Sequence, residues 1–103
     1  MEHVHQGDIL KIEKIKHPVL VASKDFFNTS GEILGCPIIK ESVEGPLHIW
    51  ISADETNGYV QCEKLALLDL SGHSTCFFFQ HNLFTFLNYA AKIMIFMLYN
   101  INI

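Results

Sequence analysis

From Gly7 to Leu70 the chain shows short apolar runs of strand length, separated by turn signals, and nowhere the three-to-four-residue apolar spacing of a helix. "GDILKI" alternates, as a half-buried strand does. "PVLVAS" is a short continuous apolar run, the pattern of a strand buried on both faces. His17 stands before Pro18, which pushes its backbone to extended geometry. "NTSGE" is a turn cluster. "EILGCPII" reads as a third strand broken at Pro37, which points to an edge or a bulge. After the polar loop "KESVEGP", the segment "LHIWIS" sets Leu47, Ile49 and Ile51 on one face and His48 and Trp50 on the other. "ADETNGY" carries Asn57-Gly58, a hairpin-turn signal because both residues tolerate positive φ. "YVQCEKLALLDL" is a fifth strand running into a sixth short element. Short strands joined by turns over about seventy residues predict a mainly β domain, a small barrel or sandwich. Phe26-Phe27 is expected to give one core ring and one partly exposed ring.

The chain changes character after Ser71. Residues 72 to 103 are rich in Phe, Leu, Ile, Asn and Tyr, and Lys92 is their one formally charged side chain. A helix over 82 to 99 would be apolar on every side, without the stripe of a surface helix. Three readings stand: a poorly packed tail translated out of its ancestral frame, a membrane anchor, or a packed C-terminal helix, ranked in that order. The apolar run is near the lower length limit for a span, and Asn88 and Lys92 interrupt it. The expected organisation is a β domain over 1–71 and an apolar tail, helical or poorly ordered, over 72–103.

Charge narrows the partners. All eleven carboxylates lie between Glu2 and Asp69, against six of the seven lysines, leaving the first 71 residues at −5. That average field repels a phosphate backbone, so any nucleic-acid site must be a local patch. There is no arginine, the residue suited to bidentate phosphate contacts. Cys36, Cys62 and Cys76 are an odd number without paired spacing, which suits a reducing compartment. "MEHVHQGD" has no apolar core of a signal peptide, so a cytoplasmic location is the expectation.

The ordered set "QGDILKI", "HPVLVAS", "FFN", "GCPII" and "NGYVQCEKLALLD" resembles the MazF/PemK family of toxin–antitoxin toxins over about residues 6 to 70. The resemblance implies an SH3-like β-barrel that pairs as a homodimer. It implies a metal-independent endoribonuclease with no cofactor, cutting single-stranded RNA in a groove across the dimer. A cognate antitoxin would block that groove with an extended tail, and DNA enters as an operator complex. The chain also departs from the family pattern. Where the family commonly has a catalytic arginine before Pro-Val-Leu, this chain has His17. Where the Pro-Ile strand commonly ends in a catalytic threonine, it has Ile39. The Arg and Asp that flank the cysteine of the fifth strand in part of the family are Gln61 and Glu63 here. The loop from Ile12 to Lys16 is short, and the family's C-terminal strand and amphipathic helix have no visible counterpart after Ser71.

Metal-free RNA cleavage needs a base for the 2′-hydroxyl proton, an acid for the leaving 5′-oxygen, and donors for the charge that builds on phosphorus. His17 can serve as base or acid. Glu63 is the candidate opposite partner and Gln61 a neutral donor. Lys16, Lys24 and Ser23 are the candidate RNA-binding residues at the two ends of the second strand. The plainer alternative makes His17 a solvated residue at a strand entrance and Glu63 part of an outward polar face. A catalytically silent relative, binding antitoxin or operator DNA without cutting, is the rival function. Trp50 and Tyr59 can stack on bases or simply pack. His3-x-His5 reads as a surface pair, and Cys62, His73, Cys76 and His81 lack zinc-ribbon spacing.

Overall fold

The computed structural model describes residues 4–53, 56–72 and 75–79, with Ala53 and the last segment described by backbone alone. These residues form seven strands: β1 (Ile9–Ile12), β2 (Val19–Val21), β3 (Glu32–Ile39), β4 (His48–Ala53), β5 (Thr56–Gln61), β6 (Ala66–Asp69) and β7 (Thr75–Phe79). A single helical turn, α1 (Asp25–Asn28), follows β2, and a 3-10 turn, Cys62–Lys64, joins β5 to β6. Every strand pair is antiparallel, in the order β4-β5-β3-β2-β1-β7 with β6 added on β3. The mainly β expectation holds.

β2 shows why a continuous apolar run is buried on both faces. Leu20 points into one core with Ile9, Cys36, Ile38, Ile49, Ile51, Val60 and Cys62. Val19 and Val21 point into the other, with Val4, Leu10, Ile12, Ile33 and Leu70. The alternation of "LHIWIS" is equally direct: Ile49 and Ile51 are buried, while Trp50 is 52% exposed and meets Tyr59 edge-on at 5.1 Å.

Pro37 does not break β3. The strand pairs with β6 over Glu32–Gly35 and with β5 at Ile38 and Ile39, while β2 pairs with it on the other side. The Ile38 N–H points to β2, donating to the Pro18 carbonyl at 2.8 Å. By alternation, the N–H that Pro37 lacks would face the gap between β6 and β5, where no strand needs it.

Three further expectations are corrected. Asn57-Gly58 is not the turn: the register pairs Ala53 with Thr56, Ser52 with Asn57 and Ile51 with Gly58, inside the β4–β5 hairpin. Gly58 is needed for close approach, since a Cβ there would stand 3.0 Å from Ile38 Cγ2 and from the Ile39 carbonyl carbon. Neither Phe26 nor Phe27 is a core ring; they are 90% and 40% exposed on α1. A strand does follow Ser71, for β7 pairs with β1 through a register shift at Ile9/Leu10. The helix expected over 82–99 lies outside the described residues. Among the described residues no helix is long and apolar enough to cross a membrane.

Candidate functional site

The turn between β1 and β2 builds the site. After Ile12 the chain reverses, with the Ile15 N–H donating to the Ile12 carbonyl at 3.1 Å and Lys14 in left-handed backbone at φ 69°. The Lys11 ammonium then reaches over the turn, donating to the carbonyls of Ile15 at 2.6 Å and Lys16 at 2.8 Å. This fixes the backbone that presents Lys16 and His17. On the β3 side, Val19 faces Pro37. Carrying that register two or three residues further brings His17 and Lys16 alongside Ile39 and Lys40.

The result is a cleft of about 400 Å³ lined by Lys16, His17, Pro18, Ile38, Lys40, Glu41, Thr56 and Asn57. Lys16 and Lys40 are exposed and His17 is half-buried. Among the described residues, two ammonium groups stand against the one Glu41 carboxylate, a local excess of positive charge in a chain of net charge −4. Asn57 accepts a hydrogen bond from the Ser52 hydroxyl through Oδ1 at 2.8 Å, which leaves its NH2 group to donate elsewhere. Thr56 is 4% exposed, and its hydroxyl is buried without a hydrogen-bond partner among the described residues.

The other expected site residues do not line this cleft. Ser23 is buried; its hydroxyl bonds Asn28 Oδ1 and accepts the Leu34 N–H at 2.9 Å. Asn28 in turn donates to the carbonyls of Val4 and Ser23, each at 3.1 Å. Ser23 thus ties β2, α1 and β3 together. Lys24 is exposed in front of α1. Gln61 is 2% exposed and donates through Nε2 to the Tyr59 carbonyl at 3.0 Å. Glu63, on the 3-10 turn, has Oε1 2.9 Å from His48 Nε2.

His48 also lies near Ser42, which invites comparison with a Ser-His-acid triad. Its Nδ1 is 2.6 Å from the Val43 carbonyl and 3.4 Å from Ser42 Oγ. A carbonyl only accepts, so Nδ1 is the donor and has no lone pair to take the serine proton. The group is a clamp between the β3–β4 loop and the 3-10 turn rather than a nucleophile and its base.

Of the residues lining the cleft, the sequence reading had singled out Lys16 and His17 but not Lys40, Glu41, Thr56 and Asn57. Nothing local marks those four. They join the cleft through the β2–β3 and β3–β5 pairings, which strand patterns do not reveal, and Asn57 was read as turn chemistry.

Residues 6–75 match the family profile described as PemK-like, MazF-like toxin of type II toxin-antitoxin system. No curated protein matches the chain in sequence. Among solved structures, the fold is similar to that of a MazE-MazF crystal structure from Deinococcus radiodurans (TM-score 0.83, 16% identity, 94% of this chain and 98% of that one). It is also similar to an endoribonuclease from a mycobacterial species (TM-score 0.80, 13% identity, 94% and 93%). A mycobacterial endoribonuclease in complex with its cognate antitoxin matches as well (TM-score 0.75, 12% identity, 90% and 93%). At these identities the structures speak for the fold, and the profile, which spans well over half of the chain, speaks for descent: this chain belongs to the PemK-like, MazF-like toxins of type II toxin–antitoxin systems.

Proposed function

We propose that the chain is an endoribonuclease toxin that cuts single-stranded RNA without a metal, with the His17 cleft as its phosphate site and a cognate antitoxin as its inhibitor. One observation carries this reading. In an acidic protein, the residue standing where the family's arginine is expected opens onto a cleft flanked by two lysines. Lys16 and Lys40 hold the phosphodiester and offset the charge that grows on phosphorus. Glu41 takes the proton of the 2′-hydroxyl as its oxygen attacks phosphorus. The bond from phosphorus to the 5′-oxygen breaks, and His17 gives that oxygen a proton. The products are a 2′,3′-cyclic phosphate and a free 5′-hydroxyl. Glu63, engaged with His48, acts on the shape of the neighbouring loop rather than on the proton. A homodimer that completes the groove with a second copy belongs to the same reading.

The test is cleavage of a labelled single-stranded RNA pool in EDTA. His17→Ala is expected to lose about 10²-fold or more and Glu41→Gln a similar factor, the usual range for a general acid or base. Glu63→Gln should lose only a few-fold. Cutting that survives His17→Ala removes the site assignment. The rival reading, a silent relative, rests on Ile39, which offers no hydroxyl where the family pattern implies one. It is established if the wild type binds an antitoxin peptide and cuts nothing.

A further inference from the structure

Among the described residues the hydroxyl of Thr56 has no partner, and a buried polar group in that state calls for a reason. Thr56 is the first residue of β5, and its backbone closes the hairpin opposite Ala53. Valine would fill the same volume in the strand without a hydroxyl to bury. The hydroxyl therefore does nothing for the empty fold. It becomes useful when an acceptor enters the cleft that Thr56 lines.

The donors around it indicate what the acceptor is. Lys16 and Lys40 contribute ammonium groups and His17 a ring N–H. The lining thus gathers donors of several kinds, and among the described residues Glu41 is its only carboxylate. A carboxylate ligand has two oxygens on one side and would leave some of these donors unmet. A phosphate presents oxygens in tetrahedral directions, so one group can be met from β2, β3 and β5 together. Thr56 Oγ1 is buried, and a change of χ1 rotamer is the movement by which it would meet an incoming oxygen.

We propose that Thr56 is the hydroxyl donor of a phosphate-binding site that it forms with Lys16, His17 and Lys40. The inference rests on the reading of the cleft as the RNA site, and it names the residue that takes one phosphate oxygen there. It predicts an unusual pair of effects for one isosteric change. Thr56→Val removes a hydroxyl that is unpaired in the free protein, so the free protein holds or gains stability. The same change removes a donor to an anion, so phosphate affinity falls.

The experiment uses the full chain, as wild type, Thr56→Val and Thr56→Ser. Urea unfolding is measured without phosphate. Binding is measured by NMR titration with inorganic phosphate, with a 2′-O-methyl oligoribonucleotide that cannot be cleaved, and with a peptide rich in Asp and Glu. Expected are unchanged or higher stability for Thr56→Val, a loss of about tenfold in affinity for phosphate and oligonucleotide, and near wild-type binding for Thr56→Ser. Wild-type phosphate binding by Thr56→Val overturns the proposal. So does a Thr56→Val protein that fails to fold, because the hydroxyl would then be paired in the free state. An effect confined to the acidic peptide overturns it too, in favour of a protein-docking cleft. If the wild type cuts no RNA while phosphate binding still needs the hydroxyl, the nuclease reading falls and this site stands. If RNA is cut and Thr56→Val binds phosphate normally, the reverse holds.

Discussion

The Lys11 ammonium donates to the main-chain carbonyl of Lys16 at 2.8 Å, so a side chain of β1 holds the residue that opens the cleft. Lys11 makes a second bond to Ile15, and the two together clamp a turn that already contains a left-handed lysine. Lys11→Met keeps the aliphatic stem and removes both bonds. A stability loss of about 1–3 kcal/mol is expected, since bonds from charged donors lie at the upper end of the usual range. Amide exchange at Lys16 and His17 should quicken more than exchange in β3. Equal changes at both places would show that the clamp is not local.

Gly58 offers a sharper test of the packing. A Cβ there would meet the backbone of Ile39 at 3.0 and 3.1 Å, and backbone cannot swing aside as a side-chain end can. Gly58→Ala should therefore destabilise by about 1–3 kcal/mol, the usual range for overpacking. It should also push apart the β3 and β5 strands that carry Lys40 and Thr56. A stability gain, as expected if glycine only loosened the unfolded chain, would contradict the close approach.

The same glycine shows where the sequence was legible and where it was not. The strands from "GDILKI" to "LALLDL" could be read because apolar alternation is local, and Trp50 against Ile49 and Ile51 is its plainest case. Asn57-Gly58 carried a true signal for glycine with the wrong cause. Turn preference and close backbone approach leave the same letter, and only the pairing of Ser52 with Asn57 separates them. Among the cleft residues, His17 was singled out by the family resemblance and Lys16 by its place at the start of the second strand. Lys40, Glu41 and Thr56 were not, because membership of the cleft is set by which strands pair. Ser23 looked like a surface donor, yet its hydroxyl lies inside, between Asn28 and the Leu34 N–H. Phe26 and Phe27 misled through size alone: one helical turn turned both outward.

Asn28 is the buried member of α1, and it bonds Ser23, Val4 and the Ser23 carbonyl at once. Asn28→Ala would leave two carbonyls and a hydroxyl without this partner. A loss of about 2–4 kcal/mol follows if each stranded group is only partly rescued by water. Phe26→Ser, on the same turn but 90% exposed, should change stability by less than about 0.5 kcal/mol. Urea unfolding of the two variants checks both figures, and similar effects would mean that α1 is held by its rings instead.

His5 gives a pH signature apart from the cleft. Its Nδ1 lies 2.7 Å from Asp25 Oδ2, while Asp25 Oδ1 accepts the Gln6 N–H at 2.9 Å. The hydrogen bond with Asp25 raises the His5 pKa above the ordinary histidine value. The negative charges of Asp25 and Asp8 add to the rise, and partial loss of water opposes it. The folded state thus binds this proton more tightly than the unfolded chain. Its contribution to stability is complete below the unfolded pKa, about 6.5, and disappears as pH rises through the higher folded value. The expected result is a wild-type advantage over His5→Gln that is full below about pH 6.5 and shrinks as pH rises above it in urea unfolding. An advantage that stays level or widens with pH would mean that the pair contributes through geometry and not through charge. His5 is solvent-facing, so added salt should also shrink the advantage at low pH.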